Sequence, residues 1–271
     1  MGEFVLGLIK GGGLSTGEDL KQLPAELYTA EQVREMDRIA IEELGISGFS
    51  LMMQAGCVAF NLVECCYPTA RKLHVFCGSG NNGGDGFVVA SGALNKGFRV
   101  VVFLLGPVSS ITGDARLALD AYVLSGGAIK TPLLEPIMAC DVVIDALFGT
   151  GLSRSISGDY QRVIEQINHL GVPVIAIDIP SGLNADTGQP MGCAVVAQQT
   201  ITFIGLKVGM VTGQASSFCG NLFFSSLEIP AVVYDKCKPQ AWLTVNVSLP
   251  RRNRCAHKGD HGHVLLIGGD Y

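Results

Sequence analysis

Charge is scarce in this chain. Asp, Glu, Lys and Arg make up 16% of its 271 residues, with 19 basic side chains against 24 acidic ones and a net charge of -5. That balance excludes a general nucleic-acid binder, which needs a basic face. Aromatic residues are few, at 7%, with one Trp. No apolar run reaches the roughly 18 residues of a membrane span, so no membrane segment is expected. Met1 to Ile9 is apolar, but Glu3 breaks it and no basic n-region or cleavage site surrounds it. Gly-Lys-Ser/Thr is absent, so there is no Walker A loop. The nine cysteines contain no Cys-x-x-Cys pair. Their odd number and their place in apolar runs fit small buried hydrophobes, not a disulfide framework. A soluble cytoplasmic protein is expected. At 48% hydrophobic, the chain can fill one large domain, or one domain plus a fragment of another.

Glycine is plentiful, at 35 residues, and one stretch concentrates it: Cys77-Gly78-Ser79-Gly80-Asn81-Asn82-Gly83-Gly84-Asp85-Gly86. Apolar runs flank it, Leu73–Cys77 before and Phe87–Leu94 after, as in a strand, a tight turn and a helix. Glycines permit positive φ in such a turn. The helix N-terminus behind it offers free N–H groups and a positive dipole end to a phosphate. Gly78 to Gly83 matches G-x-G-x-x-G, but the acid expected about 20 positions on, to hold a ribose, is missing. The next strand ends Leu104-Leu105-Gly106-Pro107. An ordinary NAD-linked oxidoreductase is therefore disfavoured.

The rest of the chain alternates. Thr29 and Gln32 form a capping box ahead of a helix that Gly45 stops. An apolar helix follows over Phe49–Cys66; it is read as core, with a homodimer contact as its alternative use. Strands are expected at Leu73–Cys77, Arg99–Leu105, Val142–Ala146, Val172–Ile177, Thr200–Ile204 and Asn221–Leu227. Helices are expected at Asp85–Lys96, Gly113–Ser125 and Gly158–Leu170. Continuous apolar strands separated by helices indicate a mostly parallel sheet covered on both faces. The fold class is thus α/β, a Rossmann-like three-layer αβα sandwich. Residues 1–28 read as a leader, 29–229 as the domain, 230–250 as a linker and 251–271 as the start of another unit.

Two further strand ends carry acids. Asp145 closes one apolar run, before Leu147-Phe148-Gly149-Thr150-Gly151-Leu152. Asp178 closes another, before Ile179-Pro180-Ser181-Gly182. Ligands of open parallel sheets collect at such carboxyl ends. The oxygens of Asn81, Asn82, Asp85, Asp145, Asp178 and Ser181 suit a hard cation better than zinc. Lys207, after a strand, is either a ligand-reaching cation or a solvated surface lysine. His257, His261 and His263 lack the spacing of a zinc site.

Four segments occur in order: Gly80 to Gly86, Asp145 to Leu152, Asp178 to Gly182 and Phe203 to Gly209. Together they closely resemble the NAD(P)H-hydrate epimerase family, the YjeF N-terminal domain, over Thr29 to Leu227. Ser248 to Asp270 resembles the opening of an ADP/ATP-dependent NAD(P)H-hydrate dehydratase domain, of the ribokinase-like kind. The resemblance implies an isomerase that interconverts the R and S forms of NAD(P)H hydrate, working beside a dehydratase. It implies that Asn81, Asn82, Gly83, Gly84 and Asp85 bind the substrate. It implies the same for Gly149, Thr150, Gly151, Leu152, Ser153, Arg154 and Ser155, and for Asp178. Asn82, Asp145 and Ser181 correspond to a site for one potassium ion per subunit. Asp178 is expected to serve as acid and then base, with Lys207 adjusting its charge. A non-catalytic protein-binding module is the competing reading.

Overall fold

The computed structural model describes residues 23–132 and 139–244. A seven-stranded sheet runs through it: β2 (Lys72–Cys77), β3 (Arg99–Leu104), β4 (Ile129–Lys130), β5 (Val142–Ala146), β6 (Val174–Ile177), β7 (Gln199–Phe203) and β9 (Asn221–Ser225). Every pairing in it is parallel, and the spatial order is β4-β3-β2-β5-β6-β7-β9. The chain builds outward from β2 to β4, then returns to lay β5 on the other side of β2. The crevice beyond the ends of β2 and β5 is therefore the switch point, where ligands of such sheets bind.

Both faces are covered, as the unbroken apolar strands require. Helices α2 (Gly48–Cys66), α3 (Asn81–Asn95) and α4 (Gly113–Leu124) pack on one face with Leu73, Val75, Val102 and Ile144. Helix α5 (Asp159–His169) buries Val163, Ile164 and Ile167 on the other, against Phe76, Phe103 and Val143. Side chains of Val143 and Ile144 point to opposite faces, as strand alternation demands.

Helix α2 is long and apolar enough to cross a membrane by length and composition. Here it lies on the sheet layer, with Met52, Ala55, Ala59 and Val63 buried. It approaches α3 so closely that a Cβ on Gly84 would come within 2.6 Å of the Met52 thioether.

Helix α1 (Ala30–Arg38) starts as the sequence indicates. Thr29 Oγ1 accepts from Gln32 N–H at 3.1 Å, and Gln32 Oε1 accepts from Thr29 N–H at 2.9 Å. A π-turn, Ile39–Glu43, extends it. Strand β1 (Glu26–Tyr28) falls inside the segment expected as leader. It forms a second sheet with β8 (Leu206–Lys207) and β10 (Ala241–Trp242), in the order β10-β1-β8.

The expected linker also needs correction. Pro230 fixes its own φ as the N-cap of helix α6 (Ala231–Lys236). Val233 is fully buried, Tyr234 O–H donates to Ile204 O at 2.8 Å, and β10 pairs antiparallel with β1. Residues 231–242 are thus part of the same body. A proline and a loosened apolar pattern concealed elements of six residues and two. The leader to residue 22, the dehydratase-like segment 251–271 and its histidines lie outside the described residues.

Candidate functional site

The glycine-rich turn works differently from the expectation. None of Gly78, Gly80, Gly83, Gly84 or Gly86 has positive φ. These glycines provide space. Gly78 N–H donates to Ala146 O at 3.0 Å, which pins the turn to the end of β5. A Cβ on Gly78 would sit 2.1 Å from Leu147 O, and one on Gly83 would sit 2.0 Å from Gly78 O. Helix α3 also begins four residues earlier than expected, with Gly80 as its N-cap and Gly84 N–H making the first helical bond, to Gly80 O. Asn81, Asn82 and Gly83 therefore form the first turn, whose N–H groups fall outside the helical ladder. That is the arrangement an anion takes up.

Beside this turn lies an oxygen-rich cluster. Asp145 is fully buried, and its carboxylate accepts from Ser181 N–H at 2.8 Å and Ser181 O–H at 2.6 Å. Burial raises its pKa to about 6, against the opposing Ser181 and Leu147 hydrogen bonds. Ser181 Oγ also accepts from Phe148 N–H at 2.8 Å. Asn82 stands out: its Oδ1 and Nδ2 are both buried and have no hydrogen-bond partner. Buried amides are normally satisfied, so this pair is a costly exception. A Cβ on Gly149 would lie 3.4 Å from Asn82 Cβ and 2.9 Å from Asp178 Oδ2. Gly149 thus lets the β5 loop lie against both residues. Among the described residues, no group of three or more His, Cys, Asp or Glu is arranged to hold a metal.

Adjacent strands β6 and β7 end in the same strained way. Asp178 has a φ of 67°, flanked by Ile179 N–H to Ile177 O at 2.8 Å. Ile204 has a φ of 64°, flanked by Gly205 N–H to Phe203 O at 2.6 Å. Each is a γ-turn with a left-handed centre, a rare and strained form that concentrates at functional sites. The two turns bring Asp178 and Lys207 together. Lys207 is completely buried, while the Asp178 side chain keeps 16% exposure. The ammonium donates to Asp178 Oδ1, to Thr202 Oγ1 at 2.8 Å and to Phe203 O at 3.3 Å, which occupies its three N–H groups. Thr150 N–H donates to the other Asp178 oxygen at 3.2 Å.

Helix α1 completes the site, and the sequence did not mark it. Arg34 Nη1 donates to Thr150 O at 3.0 Å. Asp186 Oδ1 accepts from Ala30 N–H at 2.7 Å, tying the start of α1 to the loop after Ser181. An open cleft of about 360 Å³ lies between them, lined by Arg34, Thr150, Leu152, Ser153, Asn184 and Asp186 among others. Of the expected substrate loop, Gly149 sits against Asp178 and Asn82, and Thr150 to Ser153 line the cleft. Arg154 and Ser155 are exposed and do not line it. Asn81 is exposed at the helix start, and Gly83 and Gly84 are buried beneath it. Two further carboxyls belong here. Burial, then the charges of Asp178 and Asp37, push Asp85 well above the usual carboxylate range, with Lys207 opposing. Burial, then Asp178, raise Asp37 to about 6, again against Lys207.

Known proteins share much of this sequence and its fold. The model of the family described as YjeF-related protein N-terminus matches residues 48–209. A "Bifunctional NAD(P)H-hydrate repair enzyme Nnr" from Coxiella burnetii is 42% identical over 250 residues, 90% of this chain and 51% of the relative. The protein of that name from Escherichia coli is 37% identical, over 92% of this chain and 49% of its own length. A "Bifunctional NAD(P)H-hydrate repair enzyme" from Leishmania braziliensis is 38% identical, over 90% and 46%. The chain thus spans about half the length of these relatives. The crystal structure of yeast YNL200c shares the fold, with a TM-score of 0.68 at 19% identity, covering 78% of this chain and 93% of the yeast one. With more than half of its residues matched and its sheet of the same kind, the chain belongs to the YjeF-related N-terminal family.

Proposed function

We propose that this domain is an isomerase that interconverts the R and S forms of NAD(P)H hydrate, so that an S-specific dehydratase can restore NAD(P)H. One observation carries the reading. A helix N-terminus fit for a phosphate and a buried Asp178–Lys207 ion pair meet at the switch point of the sheet. The named relatives are repair enzymes for the same hydrate, which supports it.

The chemistry follows from the substrate. Its hydroxyl sits on a carbon next to the ring nitrogen, so it is a hemiaminal. Protonation of the hydroxyl lets water leave, and the nitrogen lone pair stabilises the cation. Water returns on the opposite face and gives up a proton to a base. The N–H groups of Asn81 to Gly83, with Gly84 and Asp85 behind them, hold the phosphate-bearing part. The Gly149 to Ser155 loop closes over it. Asp178 takes the proton from the incoming water, fixed in place by Lys207 and Thr150 N–H. In the test, R-NAD(P)H hydrate is supplied with a purified S-specific dehydratase and ADP or ATP, and NAD(P)H recovery is followed. Acceleration over the spontaneous rate is expected; its absence overturns the reading.

Asn82, Asp145 and Ser181 would hold one potassium ion per subunit. The partnerless Asn82 amide and the all-oxygen donor set support this. When bound, the ion supplies a fixed positive charge that organises the loops. Asn82→Ala is expected to raise the potassium concentration needed for half-maximal rate, with substrate KM at saturating potassium little changed. An unaltered potassium titration would remove Asn82 from the set.

Three wider assignments belong to the same reading. The protein acts in the cytoplasm, and it is coupled to a dehydratase domain whose opening is residues 251–271. The Phe49–Cys66 helix serves the core, with a homodimer contact as its alternative use. A monomer by light scattering would remove that alternative.

A further inference from the structure

The Lys207 ammonium is placed by a turn that the chain must be made to keep. At its centre is Ile204, a buried β-branched residue with a φ of 64°. Such a residue is an outlier there, and it persists only where its surroundings over-determine it. Gly205 N–H closes the turn on Phe203 O at 2.6 Å. The same Phe203 O accepts from the Lys207 ammonium at 3.3 Å. Turn and ammonium thus share one oxygen, and a turn that relaxed would carry an acceptor of Lys207 away with it.

What holds the turn comes from outside the four motifs. Ile204 N–H donates to Ser225 O at 2.9 Å, at the end of β9. Ile204 O accepts from the Tyr234 hydroxyl of α6 at 2.8 Å. Both polar groups of the strained residue are therefore fixed, one by the neighbouring strand and one by a side chain. Rings support the next residue. A Cβ on Gly205 would lie 3.0 Å from Tyr28 Cδ2, and the Tyr28 and Tyr234 rings lie 6.4 Å apart. Past the turn, β8 pairs with β1, with Tyr28 opposite Lys207. Tyr234 also lies beyond residue 209, where the family match ends. Burial, then Tyr28, push its phenol up to about 12, so it remains a donor at neutral pH.

We propose that Tyr234 is a positioning residue for the epimerisation: its hydroxyl keeps the Ile204 turn in the strained form that presents the Lys207 ammonium to Asp178. The assignment rests on the epimerase reading. Tyr234 acts through Ile204 and Lys207 and does not touch the reacting atoms. Without the hydroxyl, Ile204 O loses its side-chain donor, and the turn is free to open towards an ordinary negative φ. Phe203 O then withdraws from Lys207, and Asp178 is no longer held in one direction. The phosphate turn at Asn81 to Gly83 sits at the ends of β2 and β5, and β6 separates β5 from β7. Substrate binding is therefore spared, and the loss falls on the chemical step.

The test compares the 271-residue wild type with Tyr234→Phe, which removes one oxygen and keeps the ring beside Tyr28. Tyr122→Phe is the control. The Tyr122 hydroxyl donates to Ala128 O at 3.0 Å, beside β4 at the far edge of the sheet from β7 and β9. Epimerisation kinetics are measured together with amide hydrogen exchange at Gly205, whose N–H closes the turn. In Tyr234→Phe, kcat is expected to fall about 10- to 100-fold with KM little changed. Gly205 is expected to exchange on the order of 10-fold faster. Tyr122→Phe should leave both at wild-type values while losing a similar amount of stability to denaturant. Unchanged Gly205 exchange in Tyr234→Phe overturns the proposal. With an active wild type, so does an unchanged kcat, a rise in KM alone, or a kcat loss equalled by Tyr122→Phe. If Tyr234→Phe does not fold, wild-type Gly205 decides: slowed exchange upholds the held turn, and exchange at the unprotected rate overturns it. If the wild type shows no epimerase activity while Gly205 exchanges faster in Tyr234→Phe alone, the held turn stands and the epimerase reading falls.

Discussion

Asp178→Asn is expected to lower the epimerisation rate on the order of 10²- to 10⁴-fold and also to destabilise the fold. The substitution is a clean probe because Asn tolerates the left-handed φ of 67° that the γ-turn imposes. It keeps one acceptor oxygen where Asp178 presents two, to Lys207 and to Thr150 N–H, and puts an NH2 donor in place of the other, so the charge, the basicity and one accepted hydrogen bond are lost. Lys207 is then a completely buried ammonium left with Thr202 Oγ1 and Phe203 O and no counter-charge. Breaking a buried pair from one side costs about 3–5 kcal/mol. The Asp178 end is partly solvated and Asn retains one hydrogen bond, so the lower part of that range applies. Lys207→Met in the Asp178→Asn background removes the stranded charge and fills the space with an apolar chain. That double variant is expected to regain most of the lost stability, because apolar replacement of a buried pair is often neutral, while its activity stays lost. Denaturant midpoints and epimerisation rates read the two effects separately. Full activity in Asp178→Asn, or a double variant no more stable than the single one, would show that the pair is not the centre of the site.

The sheet was legible in the sequence because its strands are long apolar runs separated by helices. Val142–Ala146 is found where expected, and the other five expected strands differ by a residue or two at their ends. The ligand end of the sheet followed from that alternation, since Asn82, Asp145 and Asp178 each come at a strand's carboxyl end. What escaped notice is short or depends on distant partners. Strands β1, β8 and β10 have two or three residues each, below the length at which a period of two can be seen. Lys207 reads equally well as a solvated cation, and only the γ-turn at Ile204 sends it inward. That turn puts a β-branched residue at positive φ, which no local preference anticipates. Asp37 lies among charged residues on an amphipathic helix, and its surroundings come from α3, β6 and β8. The glycines were legible as a turn, but their physical reason was mistaken: contact, and not positive φ, selects them.

That distinction sets up a sign reversal. Alanine in a helix is normally favoured over glycine by about 1 kcal/mol. Gly83 lies in the first turn of α3 with an ordinary negative φ, so conformation alone makes Gly83→Ala stabilising. Its new Cβ, however, would lie 2.0 Å from Gly78 O. Gly78→Ala meets Leu147 O at 2.1 Å. Neither obstacle is the tip of a flexible side chain. Both are backbone oxygens, one within the anion turn and one in the loop after β5, and Gly78 N–H to Ala146 O ties the two segments together. Relief at Gly78 requires the turn to move away from β5, which gives up that hydrogen bond, and relief at Gly83 requires Gly78 to move away from the first turn of α3, which opens the packing beneath Asn82. Each substitution is expected to cost more than about 4 kcal/mol, a large share of the roughly 5–15 kcal/mol that holds a domain together. At this size that lowers Tm by about 10 °C or more. Gly80→Ala and Gly151→Ala are the controls, since a Cβ at either meets nothing within 4 Å. Their stability is expected to change by no more than about 1 kcal/mol. Thermal unfolding of the four variants decides the matter. A mild effect at Gly78 would mean that the turn can shift away from β5, and Asn82, Asp145 and Asp178 would then not be held in one fixed arrangement.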